Sequence, residues 1–169
     1  MERVTFPNRG NTVVGNLFTP AGSDAGSKYP AIVVTHPFGA VKEQVSTLYA
    51  GKLTEQGFIT LVFDASYQGE SGGKPHFTEI PAARVEDIRC AVDFLSTHPQ
   101  ADEDRIGALG ICAGGGYTRR SSTGKGTCTT CRCARTPTRG DSSSSPASAR
   151  RWRSSPSSRS RRSPRARCC

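Results

Sequence analysis

The stretch Gly110-Ile111-Cys112-Ala113-Gly114 decides which fold this sequence predicts. It follows Arg105-Ile106-Gly107-Ala108-Leu109, which predicts a β-strand, and it precedes two further glycines, where a helix would begin. A residue on a sharp turn from strand to helix adopts strained backbone angles, and side chains two positions before and after it would collide with the turn. The spacing of Gly110 and Gly114 therefore predicts a nucleophile elbow with Cys112 at its tip.

A turn of this kind would expose the sulfur of Cys112 at the end of a sheet. The N-terminus of the following helix favours a thiolate and supplies N–H donors for an oxyanion. The alternative is that Cys112 is a small buried residue in a glycine-rich turn, because cysteine is among the most buried residue types. The strand before the turn and the paired glycines favour the nucleophile.

The first part of the chain predicts strands that alternate with helices. Val4–Phe6 and Thr12–Phe18 flank an Asn-Arg-Gly-Asn turn, which indicates an antiparallel hairpin. Ala31–Thr35 and Phe58–Phe63 are continuous apolar runs, typical of strands that are buried on both faces. With Arg105–Ile111, this alternation predicts an α/β fold, with a mostly parallel sheet that begins with the antiparallel hairpin.

Two helices are predicted between these strands from apolar residues at helical spacing. The first helix would present Val45, Leu48, Tyr49 and Leu53 to the core and end at Gly57. The second would begin with Pro81 and present Val85, Ile88, Val92 and Leu95.

In parallel sheets, ligands bind beyond the carboxyl ends of the strands. Three chemically unusual features follow predicted strands here: the loop His36-Pro37-Phe38-Gly39, Asp64 and Cys112. His36 could act as a substitute base, but a histidine in a His-Pro loop more often orders the loop by hydrogen bonding. Asp64 is predicted to tether the loop after its strand rather than to act in catalysis. His76 and His98 are predicted to be solvated loop residues.

Residues 1–117 resemble the N-terminal half of an α/β hydrolase of the dienelactone hydrolase-like and Xaa-Pro peptidase-like kind. The resemblance is carried by the hairpin, the Thr35–Gly39 loop, the segment from Phe63 to Gly73 and the elbow. It implies acyl transfer through Cys112 on a carboxylic ester, lactone, thioester or amide. The expected partner is a small-molecule acyl substrate, with no cofactor and no metal.

The same resemblance implies where the oxyanion would bind. In that family one N–H comes from the residue after the nucleophile, here Ala113, and another from the loop after the third strand. Pro37 has no N–H in that loop, so Phe38 is the candidate donor.

The resemblance also implies a triad that runs nucleophile, acid, histidine along the chain. No histidine follows Cys112, and Asp141 is the only acidic residue after it. We therefore expect the chain as written to be inactive, as a truncated member of its family.

The composition changes abruptly after Tyr117. Residues 118–169, called the basic segment below, contain 13 Arg, one Lys and one Asp, a net charge of +13 within a total of +9. This segment also holds 13 Ser and no Val, Ile, Leu, Met, Phe or Tyr, so it cannot form an apolar core. We expect a domain at 1–117 followed by a disordered, low-complexity segment at 118–169, with the composition of GC-rich DNA translated out of frame.

The alternative function is RNA binding through this Arg/Ser-rich segment, in which guanidinium groups would pair with phosphates. A charge of this size attracts nucleic acid without specificity, so no specific nucleic acid partner is expected. The CxxC pair Cys128 and Cys131 has no second pair and no nearby histidine, so zinc is not predicted either. No apolar run is long enough to span a membrane and no signal peptide is evident, so a cytoplasmic protein is expected.

Overall fold

A computed structural model describes residues 1–122, which form a five-stranded sheet and three helices. In chain order the elements are β1 (Glu2–Asn8), β2 (Asn11–Phe18), β3 (Tyr29–Thr35), α1 (Val45–Glu55), β4 (Ile59–Phe63), α2 (Pro81–Ser96), β5 (Ala101–Gly110) and α3 (Ala113–Ser121). The strands lie in the order β1-β2-β4-β3-β5.

The predicted sheet is confirmed. β1 and β2 form an antiparallel hairpin, and its two-residue turn, Arg9 and Gly10, has φ of 44° and 88°. Two successive positive φ angles give the turn whose twist matches that of paired strands. β2 is antiparallel to β4, whereas β3 is parallel to both β4 and β5. The sheet is thus mixed, with the hairpin on one side and three parallel strands on the other.

Strands β3 and β4 bury both of their faces, as their continuous apolar runs predicted. Val33 and Leu61 pack with Ile88 and Leu95 of α2 in the larger core cluster. Val34 and Val62, the next residues along β3 and β4, belong to a smaller cluster. Adjacent strand residues point to opposite faces, so helices on both sides require apolar residues at every position.

Helix α1 lies where it was predicted, but only part of its predicted apolar face is buried, with Leu53 packed against the smaller core cluster. Leu48 and Tyr49 are 59% and 45% exposed, whereas Ala50 is buried. The side of the helix that carries Ala50 lies close to the sheet, because Thr60 of β4 donates its hydroxyl to the Ala50 carbonyl at 3.2 Å. Little space is left there for large side chains. The helix ends before Gly57, whose φ of 90° suits the predicted terminating glycine.

Helix α2 begins at Pro81 as predicted, but the face it buries is only partly the predicted one. Ile88 and Leu95 are fully buried, whereas Val85 and Val92 are only half-buried. The remaining buried positions include two charged residues, Arg84 and Asp87. Apolar periodicity could not find them, because their burial depends on polar partners elsewhere in the fold.

Helix α3 continues to Ser121, past the predicted domain boundary at Tyr117. Residues 123–169 lie outside the described part of the chain, so for these residues of the basic segment the predictions of disorder, out-of-frame origin and RNA binding stay predictions. Within residues 1–122, no helix is both long enough and apolar enough to cross a lipid bilayer.

Replacing Gly15 by alanine is expected to destabilise the protein. A Cβ there would lie 2.6 Å from the carbonyl oxygen of Val62 on the neighbouring strand, so β2 and β4 would have to separate. The expected loss in the free energy of unfolding is about 1–3 kcal/mol, as for overpacked cores.

Gly51→Ala in α1 is the matched control, because a Cβ there meets nothing within 4 Å. It should raise the free energy of unfolding by about 0.5–1 kcal/mol through helix propensity. Denaturant unfolding of both variants tests this prediction, and equal stability would contradict it.

Candidate active site

Cys112 lies at the sharp turn from β5 into α3. Its φ of 55° and ψ of −121° place it in a region that favours glycine, and the residue is exposed. A non-glycine residue held in such a conformation costs about 1–3 kcal/mol and is typical of functional sites. Cys112 is therefore not the small buried residue of the alternative prediction.

Both glycines of the elbow are required, because a side chain at either position would collide with nearby backbone atoms. A Cβ on Gly114 would lie 2.6 Å from the carbonyl oxygen of Thr35 and 2.8 Å from that of His36, and one on Gly110 would collide with the backbone of Gly114. The Ile111 N–H also donates to the Thr35 carbonyl at 3.1 Å. The elbow thus packs directly against the end of β3, where the loop that carries Phe38 begins.

The two candidate oxyanion donors both have available N–H groups. Ala113 is the first residue of α3, where an N–H has no partner within the helix. Within residues 1–122, no hydrogen bond uses the N–H of Ala113 or that of Phe38. The Phe38 side chain is 67% exposed. The residues from His36 to Lys42 are called the oxyanion loop below.

His36 is fully buried at the start of the oxyanion loop. The Ala65 N–H donates to its Nε2 at 3.1 Å, so the ring proton is on Nδ1, which donates to the Pro37 carbonyl at 2.7 Å. Burial, and then the nearby charge of Arg84, lower the pKa of His36 to about 4. With both nitrogens engaged, His36 orders the loop, which is the role that the sequence favoured over a substitute base.

Arg84 connects the oxyanion loop to the elbow helix. Its side chain is 2% exposed, and its guanidinium donates to the His36 carbonyl at 2.7 Å. The same guanidinium lies 5.2 Å from the ring centroid of Tyr117 on α3, and its Nε is 3.5 Å from a carboxylate oxygen of Glu79. The sequence analysis missed Arg84, because an arginine on an amphipathic helix usually faces water.

Asp64 anchors the other end of the oxyanion loop. Its carboxylate accepts the Lys42 N–H and the Lys42 ammonium, both at 2.8 Å, and the N–H of Glu70 at 2.9 Å. The predicted tethering role of Asp64 agrees with these contacts. Lys42 was also missed, since nothing in a polar loop marks one lysine as buried.

Lys42 is 1% exposed, and its ammonium lies among three carboxylates. Nζ is 2.8 Å from Asp64, 2.7 Å from Glu70 and 2.6 Å from Glu43. Burial alone would lower the pKa of Lys42, but its hydrogen bonds, led by the one to Asp64, outweigh burial and raise that pKa. The three carboxylates lie close enough together to suit a metal ion, yet the lysine already supplies a cation among them.

The remaining histidines lie in loops, as predicted. His76 is exposed, and its ring contacts the ring of Phe77. His98 lies just before β5, whereas Cys112 follows β5, so the ten residues of that strand separate them along the sheet. His98 therefore adds no base to the elbow.

The β1-β2-β4-β3-β5 sheet, with a strained and exposed residue on the turn from β5 into α3, has the fold of part of an α/β hydrolase. The solved structure of the α/β hydrolase GrgF from Penicillium sp. sh18 agrees with this, with a TM-score of 0.66 and 26% identity over 71% of this chain and 40% of that one. The model of the dienelactone hydrolase family matches residues 14–130, so the chain belongs to that family.

Two more relatives are closer in sequence. The uncharacterised protein YcjY of Escherichia coli K12 is 47% identical over 72% of this chain and 40% of its own length. The crystal structure of the hypothetical protein PA2218 from Pseudomonas aeruginosa has a TM-score of 0.68 and 48% identity over 71% of this chain and 37% of that one. The chain thus spans about two-fifths of these relatives. The resemblance to Xaa-Pro peptidases stays a prediction.

The buried His36 is expected to make stability depend on pH. The unfolded residue titrates near 6.5 and the folded one near 4, so the unfolded chain binds more protons between these values. The free energy of unfolding should therefore fall as the pH drops from 6.5 to 4, by about 3 kcal/mol from this residue. An NMR titration of the imidazole should place His36 near pH 4.

His36→Gln is the control for that titration. Its unfolding free energy should depend less steeply on pH over the same interval. Burial raises the pKa of Asp87, so titration of Asp87 makes the free energy of unfolding rise as the pH falls. This contribution is the same in both proteins and does not affect their comparison. A His36 resonance that titrates near pH 6.5 would contradict the assignment of a neutral, buried ring.

Proposed function

We propose that Cys112 is a nucleophile that accepts an acyl group from a small-molecule carboxylic ester, lactone, thioester or amide. The observation that carries this proposal is its exposed position, at φ 55°, on the turn into α3. The thiolate attacks the substrate carbonyl, a sulfur–carbon bond forms, and the bond from carbon to the leaving group breaks. The thiol proton passes to solvent or to the leaving group.

The N–H groups of Ala113 and Phe38 are the proposed donors to the oxyanion that forms during this attack. Both are unused within residues 1–122, and the loop that carries Phe38 begins against Gly114. Donors held in place before the reaction stabilise developing charge without reorganisation. The exposed ring of Phe38 offers an apolar surface to the acyl group.

Acylation and turnover are expected to be separable in this chain. Hydrolysis of an acyl-enzyme needs a base that activates water, and no histidine follows Cys112 in the sequence. His36 has both ring nitrogens engaged. We therefore propose that the acyl group accumulates on Cys112, without cofactor or metal, in a cytoplasmic protein that turns over little or no substrate. RNA binding by the basic segment stays a prediction for that segment.

Acylation by p-nitrophenyl acetate tests the proposal, because its leaving group needs no acid. We expect a burst of p-nitrophenolate in which one equivalent per chain depends on Cys112. Further p-nitrophenolate should form only slowly, because the acetyl group leaves Cys112 slowly. Trypsin yields the peptide from Ile106 to Arg119, which contains a single cysteine, so mass spectrometry can locate the acetyl group.

Cys90 is the internal control, since its tryptic peptide, residues 90–105, also contains one cysteine. Burial, followed by the charges of Glu86 and Asp87, raises the pKa of its thiol, so Cys90 should acylate far more slowly. Cys112→Ala should remove one equivalent of the fast phase. Equal labelling of the two peptides, or an unchanged burst in Cys112→Ala, would contradict a nucleophilic role.

A further inference from the structure

The oxyanion loop is held at both ends by buried cations. At its start, Arg84 donates to the His36 carbonyl, and the Ala65 N–H donates to the His36 ring. At its end, Lys42 is bound to Asp64 through both its backbone N–H and its ammonium. Phe38 lies between these anchors, in the exposed part of the loop. Its N–H can point in a constant direction only if both ends are fixed.

Asp64 is a rigid support for the second anchor. The carboxylate is fully buried, and a Cβ on Gly69 would collide with it, so the chain closes tightly around the group. It also accepts the Glu70 N–H, which connects it to the loop after β4. Because this carboxylate can move little, it holds the ammonium that it binds in a fixed position.

We propose that Lys42 is a positioning residue, whose buried ammonium between Asp64 and Glu70 fixes the oxyanion loop so that the Phe38 N–H meets the oxyanion. This inference rests on the proposed function of Cys112. Lys42 touches neither substrate nor sulfur and acts through the loop backbone. A lysine whose charge served only to stabilise the fold would leave the chemistry at Cys112 unchanged in any variant that folds.

Two reagents separate positioning from general effects on the thiol. Iodoacetamide alkylates a thiolate without forming an oxyanion, so its rate reports only the reactivity and accessibility of Cys112. p-Nitrophenyl acetate acylates the same thiolate through an oxyanion, so its rate also reports the donors. The ratio of the two rate constants, measured on the peptide from Ile106 to Arg119, isolates the oxyanion contribution.

Lys42→Met replaces the lysine by an unbranched side chain one atom shorter and removes the charge. We expect it to lower the acylation rate of Cys112 by about 10- to 100-fold, up to the loss that a misplacement of about 1 Å causes, and to leave alkylation within about twofold. Lys52→Met is the matched control, because Lys52 is exposed on α1, and it should change neither rate.

Glu70→Gln keeps the test decisive if Lys42→Met fails to fold. Glu70 is half-exposed and contacts the Lys42 ammonium at 2.7 Å, so its neutral variant loosens the anchor without leaving a buried charge unpaired. A smaller fall in the rate ratio, about threefold, is expected.

The outcomes distinguish this inference from the function on which it rests. If Cys112 of the unmodified chain is not acylated, the proposed function fails and this inference fails with it. If Cys112 is acylated but folded Lys42→Met and Glu70→Gln keep the unmodified rate ratio, only the role of Lys42 is overturned. A parallel fall in acylation and alkylation would also overturn it, because that result indicates a purely structural role.

Discussion

The contact between Gly114 and the carbonyl oxygens of Thr35 and His36 is the constraint on which the candidate site depends. It leaves no space for a side chain, so the turn that carries Cys112 packs against the backbone at the end of β3. The sheet order makes this possible, because β5 pairs directly with β3 although α1, β4 and α2 lie between them in sequence. The turn that carries Cys112 and the oxyanion loop are thus neighbours by topology, and glycine brings their backbones into contact.

The site differs from the sheet beneath it in how it is held together. The strands are packed by apolar side chains on both faces, whereas the loops at their carboxyl ends are held by buried charges. Arg84 binds His36, Lys42 binds Asp64, and Asp87 accepts the N–H and hydroxyl of Ser66 at 2.8 and 2.6 Å. Burying a charge is costly unless its partners are well placed, so each pair restrains the geometry of its loop.

The sequence predicted those features that depend on patterns among residues close together in the chain. Continuous apolar runs predicted β3 and β4, the Asn-Arg-Gly-Asn turn predicted the hairpin, and paired glycines predicted the elbow. The helix faces were harder to predict, because apolar spacing does not show that α1 approaches β4 closely enough to expose Leu48. Buried charges were hardest, since the partners of Lys42 and Arg84 lie 22 and 48 residues away. Only the folded chain shows that these side chains meet.

The choice of cysteine at position 112 affects how much of the chemistry residues 1–122 can perform. A serine hydroxyl needs an adjacent base before it attacks, whereas a thiol ionises far more readily and is intrinsically nucleophilic. The proposed attack and oxyanion stabilisation use only groups carried by the ends of β3 and β5. Hydrolysis of the acyl-enzyme would need a base, and neither the engaged His36 nor His98 at the far end of β5 is placed to supply one. On the proposed function, acyl capture by Cys112 would therefore need only this part of the fold, and a base would become necessary only for release of the acyl group.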